Sequence, residues 1–340
     1  MQIVRALVTA SLSMVMVLSS SAGAAEASGC KFARIAEWPV RIERGHLIAD
    51  GAINGKPVRV LLDTGSTLTL IPRAAAERLE LTRKGVKGAR MYGMGGVTAI
   101  DSTLVDEFRI GQFSRTNVLV TVAGEHDIGA EVLLGGDFFR QFDVEFDIAV
   151  KMVRLYRPEN CATSLLAYWA DANVGQVEFE PVNEVHPQII LTVEIDGRPL
   201  RALLDSGSGV SLLEKAEAAR VGVTPDTPGV VALGKIAGLG SGMVPATSGS
   251  FASFTVGNEI IRDTEIAFAD VYMGATTTRV GSHIPVKPDG LPSMLLGVDF
   301  LRSHRVLVAH SQRRIYFTYN GGPVFQRELP GRAPPAAAGK

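Results

Sequence analysis

Two aspartates in matching surroundings are the residues of this chain best suited to do chemistry together. Each ends an apolar run and precedes a hydroxyl residue, a glycine and a serine, in Asp63-Thr64-Gly65-Ser66 and Asp205-Ser206-Gly207-Ser208. Two carboxylates a few ångströms apart do not both ionise easily, so they share a proton and titrate as a pair. The ionised member can take a proton from water while the protonated member gives one to a carbonyl oxygen. Such a pair could hydrolyse an amide without a metal ion or a covalent intermediate.

The two aspartates lie in an internal repeat, because 205 − 63 = 142 and the flanking residues match at that offset. The matched pairs include Gly55 with Gly197, Pro57 with Pro199, Arg59 with Arg201, Leu70 with Leu212 and Ala74 with Ala216. A repeat of this length indicates one structural unit used twice. Two units related by an approximate twofold axis bring equivalent positions together, so Asp63 and Asp205 are expected to face each other.

The three residues that follow each aspartate are expected to hold its carboxyl group in place. These residues are Thr64, Gly65, Ser66, Ser206, Gly207 and Ser208. The glycines are expected to let the chain turn tightly behind each acid. The first hydroxyl of each stretch is expected to hydrogen-bond across the interface between the copies. The later serine hydroxyls are expected to donate to the outer carboxylate oxygens and to favour the ionised form.

Short strands, tight turns and two short helices are predicted to position these motifs. Asn54-Gly55 and Asp196-Gly197 are typical of hairpin turns, and alanine-rich helices are predicted over about Arg73 to Leu79 and Glu214 to Val221. Glycine-rich stretches follow at 91–96 and 236–242. Glycines at a hairpin tip allow a backbone to approach a ligand closely, although an ordinary flexible turn is the alternative.

At these motifs the chain resembles the aspartic proteases, and the stretches that begin at Asp63 and Asp205 look like their two active-site turns. Leu133-Leu134-Gly135 and Leu295-Leu296-Gly297 resemble the hydrophobic-hydrophobic-Gly element beneath each catalytic turn. The Asp-Phe-Phe-Arg and Asp-Phe-Leu-Arg that follow are similar to retropepsin relatives of the Ddi type and bacterial retropepsin-like proteins more than to pepsin. The halves are of retropepsin size but are fused in one chain, as in pepsin.

The resemblance covers about residues 45–319 and implies an all-β fold of two retropepsin-like closed β-barrel lobes with pseudo-twofold symmetry and short helices. It implies that Asp63 and Asp205 are catalytic. It also implies substrate-binding flaps at the glycine-rich tips, with the residues Tyr92, Gly93, Gly95, Gly238 and Gly240. An extended peptide or protein substrate would lie in the cleft between the lobes and form strand-like hydrogen bonds. A tyrosine beside a turn is, however, often only a packing residue.

The function expected from these residues is that of an aspartic endopeptidase. Two alternatives stay open: a catalytically inactive protein that binds peptides, and a processing enzyme of very narrow specificity in the cell envelope. Asp137, Asp299, Arg140 and Arg302 are interpreted as structural ion pairs or caps beneath the site.

The composition of the 340 residues favours no charged partner, because the formal net charge is −1. Nucleic acid and anionic membranes are therefore not expected to bind. The six histidines include no His-x-x-x-His or His-x-His spacing, so neither a metal site nor any other cofactor is predicted. We expect a monomer.

The first 25 residues resemble a secretory signal peptide, with Arg5 before an apolar run from Ala6 to Leu18. The expected location is periplasmic or secreted, without stable membrane insertion after signal removal, and a retained anchor is the alternative. In an oxidising compartment Cys30 and Cys161 are candidates for a disulfide, and two free buried thiols are the alternative.

The expected division of the chain follows from these features. Residues 1–25 form the signal peptide, residues 30–161 the N-terminal lobe, and residues 162–175 a linker. Residues 176–328 form the C-terminal lobe, and residues 329–340 are a Pro/Ala-rich disordered tail.

Overall fold

Most of the chain that the structure describes is β-strand. The structure is a computed structural model that describes residues 29–93, 96–124, 127–170, 174–237, 242–272, 277–278, 285–286 and 290–325. The predicted signal peptide and the predicted disordered tail lie outside these ranges. Within them the helices are short, and they are α1 (Arg73–Arg78), α2 (Gly136–Phe139), α3 (Lys215–Arg220) and α4 (Val298–Ser303), with a 3₁₀ turn at Ile148–Val150.

The strands fall into two halves along the chain. Those of the first half are β1 (Lys31–Pro39), β2 (Arg41–Glu43), β3 (His46–Ile53), β4 (Lys56–Leu62), β5 (Leu70–Ile71), β6 (Arg83–Gly93), β7 (Gly96–Ile110), β8 (Phe113–Val122), β9 (Val132–Leu134), β10 (Asp143–Asp147) and β11 (Met152–Glu159). Those of the second half are β12 (Gly175–Glu178), β13 (Ile190–Ile195), β14 (Arg198–Leu204), β15 (Leu212–Glu214), β16 (Val231–Ala237), β17 (Met243–Val256), β18 (Glu259–Ala269), β19 (Thr277–Thr278), β20 (Pro285–Val286), β21 (Met294–Leu296), β22 (His304–Ala309) and β23 (Arg314–Tyr319).

Each half closes into a β-barrel. In the N-terminal lobe the strand order is β3-β4-β9-β5-β8-β7, and a β3–β7 pairing of Ile53 with Phe108 closes the ring. In the C-terminal lobe the order is β13-β14-β21-β15-β18-β17, and a β13–β17 pairing of Ile195 with Phe254 closes it. Equivalent strands follow one another in the same order in both rings. The internal repeat of the amino-acid sequence is therefore also a repeat of the fold.

The predicted hairpins begin each barrel. Asn54 and Gly55 both have positive φ, at 49° and 76°, and Asp196 and Gly197 have φ of 50° and 74°. Two consecutive residues with positive φ form the turn that suits the right-handed twist of paired strands, which is why Asn-Gly and Asp-Gly recur there. These turns set the register of β4 and β14, the strands that lead to the two aspartates.

A third sheet is shared by the two lobes. Its antiparallel order is β1-β11-β10-β22-β23-β12, with three strands from each half. The halves meet where β10 pairs with β22, with Val144 opposite Val308 and Phe146 opposite Val306. Buried Glu145 accepts hydrogen bonds of 2.7 Å from Arg154 of the first half and from Arg305 of the second.

The hydrophobic core is continuous through the lobes and the shared sheet. One cluster of buried side chains includes Leu62 before the first aspartate, Leu204 before the second, and Phe146 and Val306 in the shared sheet. Because both aspartate-bearing strands pack on this one core, their ends are held at a fixed separation.

Candidate active site

Each aspartate is placed by a parallel strand pair inside its barrel. Strand β4 runs beside β9, and the N–H of Asp63 donates to the carbonyl of Leu134 at 3.0 Å. Strand β14 runs beside β21, and the N–H of Asp205 donates to the carbonyl of Leu296 at 2.9 Å. The chain leaves the sheet at each aspartate, so both carboxyl groups project from the end of a buried strand toward the other lobe.

Backbone N–H groups hold the inner oxygen of each carboxyl. Oδ1 of Asp63 accepts from Gly65 and Ser66, both at 2.9 Å. Oδ1 of Asp205 accepts from Gly207 at 2.9 Å and from Ser208 at 3.1 Å. These donors fix the orientation of the carboxyl groups and favour their ionised forms.

The serine hydroxyls do not have the predicted role. The hydroxyl of Ser66 donates to the carbonyl of Leu68 at 2.9 Å, and that of Ser208 donates to the carbonyl of Val210 at 2.7 Å. The prediction that they would donate to the carboxylates is wrong, because the turn directs the backbone N–H of each serine at the aspartate instead. The hydroxyls then stabilise the exit of the chain from the turn, as in other short hydroxyl-to-backbone bonds.

Thr64 and Ser206 join the two turns through reciprocal hydrogen bonds. The N–H of Thr64 donates to Oγ of Ser206, and the N–H of Ser206 donates to Oγ1 of Thr64, both at 3.0 Å. Each hydroxyl in turn donates to a carbonyl of the opposite strand, Thr64 to Leu204 at 2.6 Å and Ser206 to Leu62 at 2.8 Å. The hydrogen bonds expected across the interface are therefore present, and both side chains are almost fully buried.

Gly65 and Gly207 allow each turn to approach the opposite aspartate. A Cβ on Gly65 would overlap the carboxyl group of Asp205, and a Cβ on Gly207 would overlap that of Asp63. Neither glycine has a φ in the left-handed region. The close approach of the lobes, and not an unusual backbone conformation, therefore requires glycine at these positions.

The two carboxyl groups are buried, and they interact directly. Burial raises the pKa of Asp63, and the backbone donors of Ser66 and Gly65 offset part of that rise. Burial raises the pKa of Asp205 well above its usual range, and the neighbouring negative charge of Asp63 raises it further. A pair with these properties keeps one proton over a pH range in which an exposed aspartate pair would lose both.

The Leu-Leu-Gly elements lie directly under the turns. The N–H of Gly136 donates to the carbonyl of Ser66, and that of Val298 to the carbonyl of Ser208, both at 2.8 Å. Gly135 and Gly297 each pass so close to the backbone after the turn that a Cβ would lie within 3 Å of it. This contact fixes the height of each turn above its barrel.

Asp137 and Asp299 hydrogen-bond to the strand that follows each aspartate turn. Oδ1 of Asp137 accepts from the N–H and the hydroxyl of Thr69, both at 2.8 Å. Oδ1 of Asp299 accepts from the N–H of Ser211 at 2.9 Å and from its hydroxyl at 2.7 Å. Both carboxylates therefore hold the strand that follows an active-site turn. Arg140 lies 3.4 Å from Glu184 in an ion pair.

A hairpin with a glycine-rich end projects from each barrel. Strands β6 and β7 pair up to Gly93 and Gly96, and β16 and β17 pair up to Ala237 and Met243. Tyr92 and Gly93 lie at the end of β6, whereas Gly95, Gly238 and Gly240 lie outside the described residues.

The stems of these hairpins pack near the aspartates. Met91 of β6 contacts an apolar cluster that contains Leu61, two residues before Asp63. Leu233 of β16 belongs to the equivalent cluster, which contains Leu203, two residues before Asp205. The described stem of each hairpin therefore lies beside one aspartate.

Two side chains that form hydrogen bonds from one lobe to the other were not predicted from the sequence. Nδ1 of His46 lies 2.7 Å from the carbonyl oxygen of Gly207. Nε2 of Gln188 donates to Oγ1 of Thr67 at 2.5 Å. Since 188 − 46 = 142, these residues are equivalent in the repeat, and the offset was the signal that could have found them.

The predicted disulfide is present. Cys30 and Cys161 are bonded, and they flank the paired strands β1 and β11 at one edge of the shared sheet. Among the described residues, no helix is long and apolar enough to cross a membrane. The disulfide is compatible with an exported protein. In the same ranges, no group of three or more His, Cys, Asp or Glu side chains is placed to hold a metal ion.

Comparison with known families agrees with this geometry. Residues 49–141 match the family described as gag-polyprotein putative aspartyl protease, and residues 191–300 match the family described as aspartyl protease. No curated protein matches the chain. Each match covers one barrel and includes one of the two facing aspartates. The chain therefore belongs to the retropepsin-like aspartyl proteases and carries two such domains in tandem.

Proposed function

We propose that the protein is an aspartic endopeptidase with Asp63 and Asp205 as its catalytic pair. The observation that carries the proposal is the placement of two buried carboxyl groups, in direct contact, at the junction of two equivalent turns. Reciprocal hydrogen bonds hold those turns together, so the pair is organised before any substrate binds. Pre-organised groups of this kind lower the barrier because they need no rearrangement during the reaction.

The chemistry follows from the one proton that the pair shares. The ionised carboxylate takes a proton from a water molecule, and the water oxygen forms a bond to the carbonyl carbon of the peptide. The protonated carboxyl group gives its proton to the carbonyl oxygen in the same step. The tetrahedral intermediate then collapses and its C–N bond breaks. The leaving nitrogen takes the proton that the first carboxyl group had accepted from water, and the second carboxylate recovers a proton from a hydroxyl of the intermediate. Water is consumed, and no oxidant or metal is required.

An extended peptide is the substrate that fits the two hairpins. A bound strand can add main-chain hydrogen bonds to hairpin edges, and its alternate side chains can enter the apolar surfaces beside the aspartates. We further propose that the enzyme acts outside the cytoplasm, because the disulfide and the signal-like first 25 residues favour export.

Cleavage of an unfolded protein substrate between about pH 3 and 7 tests this proposal. The mature protein is compared with Asp63→Asn and Asp205→Asn, each with and without a statine-type inhibitor. Inhibitor-sensitive cleavage that both substitutions abolish is the expected result. Cleavage that survives both would overturn the proposed mechanism. A folded wild type that cleaves nothing would favour a peptide-binding protein or a narrow processing enzyme, which a screen of cell-envelope proteins separates.

A further inference from the structure

A histidine whose ring nitrogens are buried lies where the two halves of the chain meet. His310 follows β22 in the second half, and its ring packs edge-on against that of Phe179, with 5.5 Å between the ring centroids. The residue is partly exposed, yet both ring nitrogens are shielded from solvent and have no hydrogen-bond partner among the described residues. Buried polar groups are nearly always hydrogen-bonded, so this ring is an exception that calls for a physical reason.

Contacts between the two halves surround this ring. The N–H and the hydroxyl of Ser311 in the second half donate to Asp143 of β10 in the first half, at 2.9 and 2.7 Å. Arg140, which follows α2 in the first half, lies 3.4 Å from Glu184 of the second half. The Nε atom of Arg140 is itself buried and has no hydrogen-bond partner within the described ranges. We call these contacts the half-to-half junction.

A neutral imidazole suits this position better than a protonated one. Protonation would bury a second N–H without a partner and would add a positive charge beside the guanidinium of Arg140. Burial, followed by the charge of Arg140, accordingly lowers the pKa of His310 to about 4. The unfolded chain takes up this proton near pH 6.5, so the folded state loses stability as pH falls from about 6.5 toward 4.

The other charged groups at the junction do not neutralise a charge on the ring. Glu184 is exposed and pairs with Arg140, and Arg313 of the same turn is exposed. Asp143 accepts the backbone N–H of His310 and not its ring. Burial raises the pKa of Asp143, so Asp143 affects stability in the opposite direction, and only a comparison of variants isolates the histidine. The acids beside Phe179 are paired elsewhere, Glu178 with Arg314 and Glu180 with Arg201.

The junction is continuous with the aspartate turns. Gly136, at the start of α2, donates its N–H to the carbonyl of Ser66 in the first of these turns, at 2.8 Å. A Cβ on Gly136 would lie 3.2 Å from Pro187 of the second half. The next residue, Gln188, donates to Thr67 at the end of the same turn. A displacement of α2 against the second half would therefore move the turn as well.

We propose that His310 makes the half-to-half junction sensitive to acid. Its neutral ring packs between α2 and residues 179–188, whereas its protonated ring repels Arg140, loosens the junction and disturbs the first aspartate turn. The change is reversible, because only a proton is gained or lost. The loosening is a property of the folded protein alone, and only its consequence for peptide cleavage rests on the proposed function.

Urea denaturation of the wild type and His310→Phe between about pH 7 and 4 tests the proposal. Phenylalanine can keep the contact with Phe179 but takes up no proton. The unfolding equilibrium constant of the wild type, relative to that of His310→Phe, is expected to rise roughly a hundredfold as pH falls over this range. His186→Phe is the matched control, because His186 is exposed, and a change of less than about threefold is expected there. A ratio that does not change with pH overturns the proposal.

Two further measurements do not depend on a well-folded phenylalanine variant. NMR of the His310 ring in the wild type is expected to show titration near pH 4, and Arg140→Gln is expected to raise that value. Titration near 6.5, or no effect of Arg140→Gln, overturns the proposal. At about pH 4.5, the N–H of Ser311 is expected to exchange its hydrogen faster in the wild type than in His310→Gln. Equal exchange would show that the junction does not loosen.

Peptide cleavage separates this proposal from the proposed function. Where the wild type cleaves peptides, His310→Phe is expected to remain active at a lower pH than the wild type does. An unchanged acid limit overturns the coupling of the junction to the aspartate turn. Where the wild type cleaves nothing, the proposed function fails, while denaturation, NMR and hydrogen exchange still decide the role of His310.

Discussion

Thr64 and Ser206 each accept the backbone N–H of the other at 3.0 Å, so the two halves of the site hold each other in place. The four hydrogen bonds around these hydroxyls are buried and link the lobes at the base of the aspartate pair. Each turn therefore depends on the other half for these hydrogen bonds.

Ser206→Ala is expected to lower the free energy of unfolding by about 2 to 4 kcal/mol. The substitution leaves the N–H of Thr64 and the carbonyl of Leu62 buried without a partner, and each such group costs about 1 to 3 kcal/mol. Urea denaturation measures the loss. Ser114→Ala is the control, since its hydroxyl bonds only to Glu107 at an exposed site, and a change within about 0.5 kcal/mol is expected there. Equal effects at the two sites would contradict the prediction.

Gly207→Ala is expected to lower kcat by about a hundredfold or more. The added Cβ would overlap the carboxyl group of Asp63, and displacements of about 1 Å in an active site cost rates of this order. Steady-state kinetics measure the loss, with circular dichroism to follow the fold. In the control Gly85→Ala, the nearest heavy atom to the new Cβ is 3.8 Å away, so activity close to that of the wild type is expected. An active Gly207→Ala enzyme would show that the lobes do not meet as closely as described.

Asp205→Asn is expected to change how stability depends on pH. The folded pKa of Asp205 lies well above its usual range, so the folded state binds this proton more tightly than the unfolded chain does. The residue therefore stabilises the fold below its ordinary pKa, near 4, and this contribution is lost as pH rises through the folded value. The asparagine stays neutral throughout.

Urea denaturation at several pH values tests this dependence. The free energy of unfolding of the wild type, relative to Asp205→Asn, is expected to fall as pH rises from about 4 toward neutrality. Asp226→Asn, at an exposed turn, serves as the control for the loss of one carboxylate. A difference between wild type and Asp205→Asn that grows in the opposite direction would contradict the raised pKa.

Removal of the disulfide is expected to cost about 4 to 5 kcal/mol of stability in the chain-entropy model. Cys30 and Cys161 are 131 residues apart, and long closed loops restrict the unfolded chain most strongly. The double substitution Cys30→Ser with Cys161→Ser, compared with the wild type by guanidinium denaturation, measures the effect. A reductant is expected to destabilise the wild type and to leave the double variant unchanged. A reductant effect on the double variant would point to another cause.

The parts of the site that were predicted from the sequence are those that short motifs of neighbouring residues encode. The motifs at Asp63 and Asp205 and the hairpin turns at Gly55 and Gly197 each depend on a few neighbouring residues, and the offset of 142 aligned them. The pairing of β10 with β22 was not predicted, because it joins residues more than 150 positions apart and no local signal encodes it.

The errors at the site have a similar cause. Whether the hydroxyl or the N–H of Ser66 faces Asp63 depends on backbone angles that residue type does not specify. The contact of His46 with Gly207 exists only after the lobes have docked, so no residue next to His46 in the sequence indicates it.

The shared sheet determines what each half would be without the other. In the whole chain β10 and β22 are interior strands with partners on both sides. Separated, each would become an edge that presents unpaired N–H and C=O groups together with apolar side chains, which is a template for strands of other molecules. The connection of residues 160–174 keeps the two edges at a high effective concentration for each other. Fusion of the halves therefore protects the protein from self-association as well as aligning its two aspartates.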